Sequence, residues 1–224
     1  YPDANVRQAF TMQARDAVDR VRGVAAVTVG SIPPDSLQRI MGPVEVPGGE
    51  TIDTPMRSMA SLYAVSPNYF DALGISILDG RTFRGDDPDD AVIVSAKYAR
   101  LLWKRTSVAG QRFRVSGVWH TVVGVVDDVR HVSAAAGRPD PPQVYYRYGR
   151  TYNGGLAIGI VGQSILAAED SLAVRLSGDA SPASVQAAVS HLDPAVVVSV
   201  ETADSMIADE IARSRVVFVL MAGF

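Results

Sequence analysis

The sequence contains no cysteine, which excludes disulfide bonds, thiolate nucleophiles and cysteine-based zinc sites from its 224 residues. It also has no excess of positive charge, because 21 Lys and Arg residues stand against 24 Asp and Glu residues, a net charge of −3. Such a chain offers no basic surface that follows the phosphates of a nucleic acid. Low-complexity segments are missing as well, so the chain is expected to fold.

The chain ends in an unbroken apolar run of nine residues, Val216 to Phe224. A membrane-spanning helix needs about 20 such residues. The run is therefore either the start of a transmembrane helix or a buried terminal helix or strand, and the absence of charge after Arg215 favours the first. No signal peptide is visible at Tyr1, and the chain is expected to continue beyond both ends in a longer protein.

The N-terminal segment predicts a helix followed by a strand. Asp3 can cap a helix whose apolar residues recur at helical spacing, and Gly23 ends it. The helix carries these apolar residues: Val6, Phe10, Ala14, Ala17 and Val21. Val24–Gly30 is apolar and β-branched, which predicts a strand.

The C-terminal part repeats this plan. Ser171–Ser177 alternates as a half-buried strand does, Ser181 with Pro182 begins a helix, and Ala195–Val200 is predicted to be the next strand. The repetition indicates a body of β-α-β units. A last helix is predicted from Thr202 onward.

The middle of the chain predicts short strands and turns. Ser66-Pro67 begins a short helix that buries Tyr69, Phe70 and Leu73, and a Ser116-Gly117 turn joins two strands as a hairpin. The other predicted elements are a strand Ile75–Leu78, a turn Asp79–Gly80, a strand Val92–Ser95 and a helix Ala96–Lys104. The region forms a smaller unit inserted into the β-α-β body.

An ordered series of short signatures runs through this region, and none of them looks catalytic. The signatures are Val65–Gly74, Gly80–Phe83, Ala91–Ser95, Ala99–Trp103, Gly110–Val115 and Thr121–Arg130. Their order and spacing resemble the MacB-like periplasmic core domain, the extracytoplasmic part of MacB/FtsX-type ABC transporter permeases. The resemblance covers nearly the whole chain and includes Arg22–Val24, Leu192–Pro194 and Ala212–Arg213 near its ends.

The resemblance implies an α+β fold. A porter-like β-α-β subdomain is expected from residues 1–55 and 140–215, a smaller strand-rich Sabre-like subdomain from 56–139, and the start of a transmembrane helix from 216–224. It also implies a non-enzymatic domain, without metal or cofactor, that carries ATP-driven movement across the membrane to a substrate or partner protein.

The same resemblance implies a location and partners. The domain is expected at the periplasmic face of the cytoplasmic membrane, held by flanking helices. The expected partners are a cytoplasmic ATPase subunit, a second permease copy in a dimer, and a periplasmic adaptor or substrate protein. The predicted partner-contacting or coupling surface consists of Tyr69, Phe70, Arg81, Phe83, Ile207 and Ile211.

Two other functions stay open in the sequence. Asp127, Asp128 and His131 follow a buried strand and would suit a hydrolase. Adjacent residues of a strand point to opposite faces, however, and a turn in which Asp128 caps local amides is favoured. The second alternative is a soluble binding domain with a buried C-terminal helix.

Other polar groups offer no site. The acidic run Asp86–Asp90 lacks the register of a calcium loop and predicts a solvated turn. His120 and His191 have no metal-ligand spacing and are expected in the core or at the surface. Core and strand positions are favoured for Trp103, Trp119, Tyr145, Tyr146 and Tyr148.

Overall fold

The computed structural model describes residues 4–30, 39–40, 44–48, 51, 60–115, 117–129, 142–149, 171–177, 180–202 and 205. Four helices lie in this part of the chain: α1 (Ala4–Asp19), α2 (Tyr69–Leu73), α3 (Ala96–Trp103) and α4 (Pro182–Ser190). Ten strands lie in the same part: β1 (Val24–Val29), β2 (Arg39–Ile40), β3 (Val44–Glu45), β4 (Ala60–Val65), β5 (Ile77–Gly80), β6 (Ala91–Ser95), β7 (Arg112–Val115), β8 (Val118–Val126), β9 (Gln143–Arg147) and β10 (Leu172–Leu176).

Strands β1 and β10 pair antiparallel and carry helices α1 and α4, a unit that we call the terminal layer. Ala14 and Val18 of α1 are one helical turn apart and pack with Val185 and Val189 of α4. Val27 of β1 completes this small core. Ser181 caps α4 in a capping box with Ser184, and Pro182 occupies the first helical turn.

The other eight strands form what we call the large sheet, in the order β2-β4-β9-β6-β8-β7-β3, with β5 also paired to β8. Parallel pairing joins β4 to β9 and β6 to β8, and the other pairs are antiparallel. All five residues of β6 are buried, because β8 and β9 flank it and both faces of the sheet are covered there.

Helix α3 covers one face of the large sheet. Ser95 caps it, since its hydroxyl accepts a hydrogen bond from the Tyr98 backbone N–H. Tyr98 and Trp103 of the helix pack edge-on against Phe113 of β7, with ring centroids 5.7 and 6.0 Å apart. The opposite face buries α2 and an aromatic cluster around Tyr145.

The structure confirms the mixed α+β class and most of the locally predicted elements. Helices α1, α2, α3 and α4 and the β7–β8 hairpin lie where the sequence predicts them. Gly74 adopts the left-handed conformation that ends α2.

Two predicted elements are wrong. Ala195–Val200 forms no strand, and Asp79–Gly80 belongs to strand β5, where the sequence predicts a turn.

The predicted subdomain limits differ from the limits of the large sheet. Strands β2 and β3 precede residue 56 and strand β9 follows residue 139, yet all three belong to the large sheet. The porter-like and Sabre-like names stay predictions. The start of the predicted last helix is described, since Ser205 is helical and its backbone N–H donates to the Thr202 hydroxyl at 3.1 Å. Residues 206–224, with the rest of that helix and the apolar run, lie outside the described residues. Within the described ranges, no helix has the length and apolar character that crossing a membrane requires.

Candidate functional site

The terminal layer and the large sheet meet at the end of β1 and the end of β4. Gly30 forms a bridge with Val65, and the backbone N–H of Ser66 donates a hydrogen bond to the Val29 carbonyl at 2.8 Å. A Cβ atom on Gly30 would lie 2.8 Å from the Ala64 carbonyl oxygen, so only glycine allows this approach of the two backbones.

Three polar side chains fasten this contact, and we call Thr28, Ser66 and Asn68 the junction cluster. The Ser66 hydroxyl lies 2.7 Å from the Thr28 hydroxyl and 2.8 Å from the Asn68 carbonyl oxygen. Ser66 has one proton to donate and gives it to Asn68, so it accepts the proton of Thr28. It also accepts the Val29 backbone N–H at 3.1 Å, while the Asn68 amide donates to the Val27 carbonyl at 2.8 Å.

Thr28 and Ser66 are both buried, so these hydrogen bonds are shielded from water. A buried polar group that loses its partner costs about 1–3 kcal/mol, which makes sliding at this contact unfavourable. The cluster therefore holds β1 to the start of α2.

A second contact links the layers on the other side. The side-chain amide of Gln8 in α1 donates to the Gly149 carbonyl at 3.2 Å, just after β9. The neighbouring Tyr148 N–H donates to the Val65 carbonyl at 2.8 Å, so this contact leads back to the junction. The terminal layer thus contacts the large sheet at two strand ends.

The loop after β5 supports the junction from the large-sheet side. The Thr82 hydroxyl donates to the Pro67 carbonyl at 2.6 Å. Arg81 donates two hydrogen bonds to Asp87, at 2.8 and 2.5 Å, and the Arg84 backbone N–H donates a third at 2.7 Å. Arg147, at the end of β9, donates to the Arg84 carbonyl at 2.9 Å.

This loop contains a carboxylate that the sequence places in solvent. The side chain of Asp87 is only 5% exposed, so the prediction of a solvated turn is wrong for this residue. The hydrogen bonds from Arg81 hold the pKa of Asp87 below its ordinary value, and the Arg84 N–H adds to this, although burial opposes both. Asp87 is therefore a charged anchor of the loop.

Three residues of the predicted partner-contacting or coupling surface are buried, and the role of that set stays a prediction. Tyr69, Phe70 and Phe83 are 2%, 1% and 3% exposed and lie in the core beneath the junction. The pattern that marks them is an apolar helix face, which the fold uses for packing. The Arg81 guanidinium is already paired with Asp87 through two hydrogen bonds. Ile207 and Ile211 lie outside the described residues.

Tyr69 and Phe70 connect the junction to the interior of the large sheet. The Tyr145 ring lies 5.0 Å from Phe70 and 6.2 Å from Tyr69, and it stacks on Tyr63 at 5.5 Å. Burial raises the pKa of the Tyr69 and Tyr145 hydroxyls well above their ordinary value, so both stay neutral. This cluster packs tightly between α2 and strands β4 and β9.

Two residues of the predicted Asp127/Asp128/His131 site are described, and both make structural hydrogen bonds. Asp128 accepts the Lys97 backbone N–H at 2.7 Å and the Arg100 guanidinium at 3.3 Å, at the start of α3. Asp127 accepts the Asp128 N–H at 2.9 Å. The favoured role, Asp128 capping local amides in a turn, is wrong in its partner, because Asp128 caps the distant helix α3 and the local amide is bound by Asp127. His131 lies outside the described residues.

His120 is a core residue and His191 a surface residue. The His120 ring lies 5.2 Å from the Phe113 ring and 5.9 Å from the Tyr146 ring. Burial lowers the pKa of His120 to about 4, against a smaller opposing effect of Asp90. His191, at the end of α4, lies with Nδ1 3.0 Å from the Ala187 carbonyl. In the described part of the chain, no group of His and acidic residues converges as metal ligands would.

Sequence reasoning missed the junction cluster. The sequence pattern predicts Ser66 only as the start of a helix and Thr28 only as part of a strand. The signal that identifies the cluster is a hydroxyl on the buried end of an otherwise apolar strand, because such a group requires a partner. The identity of that partner, 38 residues away, is a property of the fold.

The junction joins the terminal layer to the large sheet through buried hydrogen bonds. The family model of the MacB-like periplasmic core domain matches residues 1–192. The chain therefore belongs to this family, the periplasmic domains of MacB- and FtsX-like ABC transporter permeases. A comparison with curated proteins finds no match.

Solved structures share the fold. The periplasmic region of MacB from Actinobacillus actinomycetemcomitans aligns with a TM-score of 0.51 and 18% identity, over 81% of this chain and 71% of that one. A domain assigned to a permease protein from Porphyromonas gingivalis aligns with a TM-score of 0.50 and 17% identity, over 79% and 72%.

Proposed function

We propose that the domain acts as a rigid transmitter in an ABC transporter permease. Movement enters at the terminal layer, crosses the junction and displaces the large sheet, which acts on a substrate or partner protein. The observation that carries the proposal is the buried junction cluster, in which the Ser66 hydroxyl contacts Thr28, Val29 and Asn68 at once.

The arrangement of the chain supports this direction of transfer. The first and last described helices, α1 and α4, lie together in the terminal layer, while the large sheet is formed by the chain between them. Segments that flank the domain therefore act on the terminal layer first. The large sheet follows only if the contact between the two units is stiff, and shielded hydrogen bonds supply that stiffness.

Membership of the family supports a proposal for the partners. We place the domain outside the cytoplasmic membrane in a full-length permease, with a cytoplasmic ATPase subunit that supplies the movement. A second permease copy and a periplasmic adaptor or substrate protein complete the assembly. The coupling helix from Thr202 onward, with Ile207 and Ile211, and a transmembrane start at 216–224 belong to the same proposal.

Spin labels on the full-length permease test the proposal without knowledge of the substrate. The chain has no cysteine to remove, so Arg20→Cys after α1 and Arg105→Cys after α3, both exposed, mark the two units. ATP binding should move both labels relative to the bilayer and leave the distance between them unchanged. In the Ser66→Ala/Asn68→Ala background only the label at position 20 should move fully.

Two results would contradict the transmitter role. An ATP-dependent change in the distance between labels 20 and 105 in the otherwise unaltered domain would show a flexible joint. A label at position 105 that stays still while label 20 moves would show that no movement is passed on. A Ser107→Ala substitution, at an exposed hydroxyl in the loop between α3 and β7, is the matched control. It should leave the movement of both labels and the distance between them unchanged.

A further inference from the structure

Positive charge is concentrated in one segment of the chain, which contains helix α3 and the β7–β8 hairpin. Residues 91–126 contain no Asp or Glu and carry six cations: Lys97, Arg100, Lys104, Arg105, Arg112 and Arg114. The net charge of the chain is −3, so the remaining residues sum to −3 − 6 = −9. A segment of opposite sign in an acidic chain favours association with an anionic partner.

The β7–β8 hairpin presents part of this charge in an ordered form. Phe113 and Val115 of β7 point into the core, so the alternating residues Arg112 and Arg114 lie on the opposite face. Trp119 is the cross-strand partner of Arg114. The guanidinium carbon atoms of Arg112 and Arg114 lie 4.9 and 5.3 Å from the centre of the Trp119 ring, within the range of cation–π interactions.

The two arginines differ in their anionic partners. Arg114 pairs with Glu45 of strand β3, so an arginine that lies over the Trp119 ring can bind a carboxylate at the same time. Arg112 is exposed, and no carboxylate of the described residues pairs with it. The hairpin thus holds one guanidinium that is already matched and one that is oriented by Trp119 and still open to an anion.

We propose that this hairpin face, formed by Arg112, Arg114 and Trp119, binds an acidic segment of a partner protein. A partner carboxylate pairs with Arg112 as Glu45 pairs with Arg114, and its backbone packs on the half-exposed Trp119 ring. Stacking on tryptophan restricts the arginine side chains in advance, which lowers the entropy cost of binding. Arg and Trp are also the residues that most often dominate binding energy at protein interfaces.

The surface lies on the hairpin, away from the junction cluster, so this proposal does not depend on the transmitter role. The site takes a protein segment with spaced carboxylates, because the Arg112 guanidinium is a planar fork that matches a carboxylate. Anionic lipid and self-association are the competing occupants, and the experiment separates them.

The test uses the 224-residue chain with a deca-glutamate peptide as probe. Trp103→Phe leaves Trp119 as the single tryptophan of two, so its fluorescence reports binding at the hairpin. We expect the peptide to change this fluorescence and its affinity to fall with added salt, while deca-glutamine has no effect. Calorimetry on the unsubstituted chain repeats the measurement without relying on the Trp103→Phe variant.

Two charge reversals locate the site. Arg112→Glu should weaken peptide binding about tenfold, which corresponds to about 1.4 kcal/mol. Lys104→Glu makes the same change of charge at the end of α3, which packs on the other face of the sheet, and should alter the affinity less than about twofold because screening weakens distant charges. Reversal at Arg112 leaves the Arg114–Glu45 pair in place.

Three outcomes would overturn the proposal. Equal losses of peptide affinity in Arg112→Glu and Lys104→Glu would mean that the peptide responds only to the net charge of the chain. Binding of phosphatidylglycerol vesicles with no binding of the peptide would assign the face to a membrane. Concentration-dependent dimerisation that Arg112→Glu abolishes, without peptide binding, would assign it to a second copy of this chain.

Discussion

Burial of a single side chain gives this domain a defined response to acid. His120 lies between Phe113 and Tyr146 in the core of the large sheet, and its pKa falls from 6.5 to about 4. The unfolded chain, in which the histidine is solvated, therefore binds a proton more readily than the folded one. The contribution of His120 to the free energy of unfolding is fully present above pH 6.5 and is lost as the pH falls toward 4.

The His120→Phe variant tests this linkage. The wild-type free energy of unfolding should lose up to about 3 kcal/mol more than that of the variant between pH 7 and pH 4, since each pKa unit corresponds to about 1.4 kcal/mol. Urea unfolding at both pH values measures the difference. A His191→Ala variant, altered at the surface, should keep the wild-type loss. Equal acid sensitivity of wild type and His120→Phe would refute the assignment.

Strands β5 and β8 approach each other where both carry a glycine. Gly80 lies opposite Gly124 in the ladder. A Cβ atom on Gly124 would overlap the carbonyl oxygen of Arg81, and one on Gly80 would overlap that of Val123. The two glycines thus let β5 and the loop that follows it, which bears Arg81, lie against strand β8.

Gly124→Ala should destabilise the domain by about 1–3 kcal/mol, because the new methyl group meets a backbone atom that cannot rotate away. Thermal or urea unfolding measures the loss. Gly85→Ala is the control, since Gly85 lies in the loop after β5 with open space around it and an ordinary φ. If the two variants were equally stable, the close approach would not contribute as described.

Two hydrogen-bonded units held by one buried cluster should unfold together. The junction cluster connects β1 to the start of α2, and Gln8 connects α1 to Gly149. The terminal layer has a small core, so it depends on the large sheet for part of its stability. Loss of the junction should therefore separate the two units during local unfolding.

Amide hydrogen exchange tests this dependence. In the Ser66→Ala/Asn68→Ala variant, amides of β1 and α1 should exchange about tenfold faster or more, since removal of buried hydrogen bonds costs at least about 1.4 kcal/mol. Amides of β6 should keep their protection. Ser107→Ala serves as the control and should leave all three unchanged. Uniform acceleration across β1 and β6 would indicate a single cooperative unit without a separable layer.

Local sequence signals predicted the helices and the hairpin, but they did not predict the pairing of strands that lie far apart in the sequence. Pro182 after Ser181 and the Gly117 turn act within a few residues, so the sequence shows them directly. The pairing of β9 with β4 joins distant parts of the chain, which local patterns do not encode. Ala195–Val200 has the residues of a strand but no ladder partner in the described part, and a strand exists only when it is paired.

Composition, spacing and turn residues were enough to predict a folded domain of helices and strands without cysteine chemistry. These properties follow from the period of apolar residues and the conformations of Gly and Pro, which each stretch of chain carries by itself. Only the tertiary structure placed Thr28 beside Ser66, buried Tyr69, Phe70 and Phe83, and set Arg112 on Trp119. Those contacts depend on which strands pair and which face each strand buries, and both are decided when the whole chain packs.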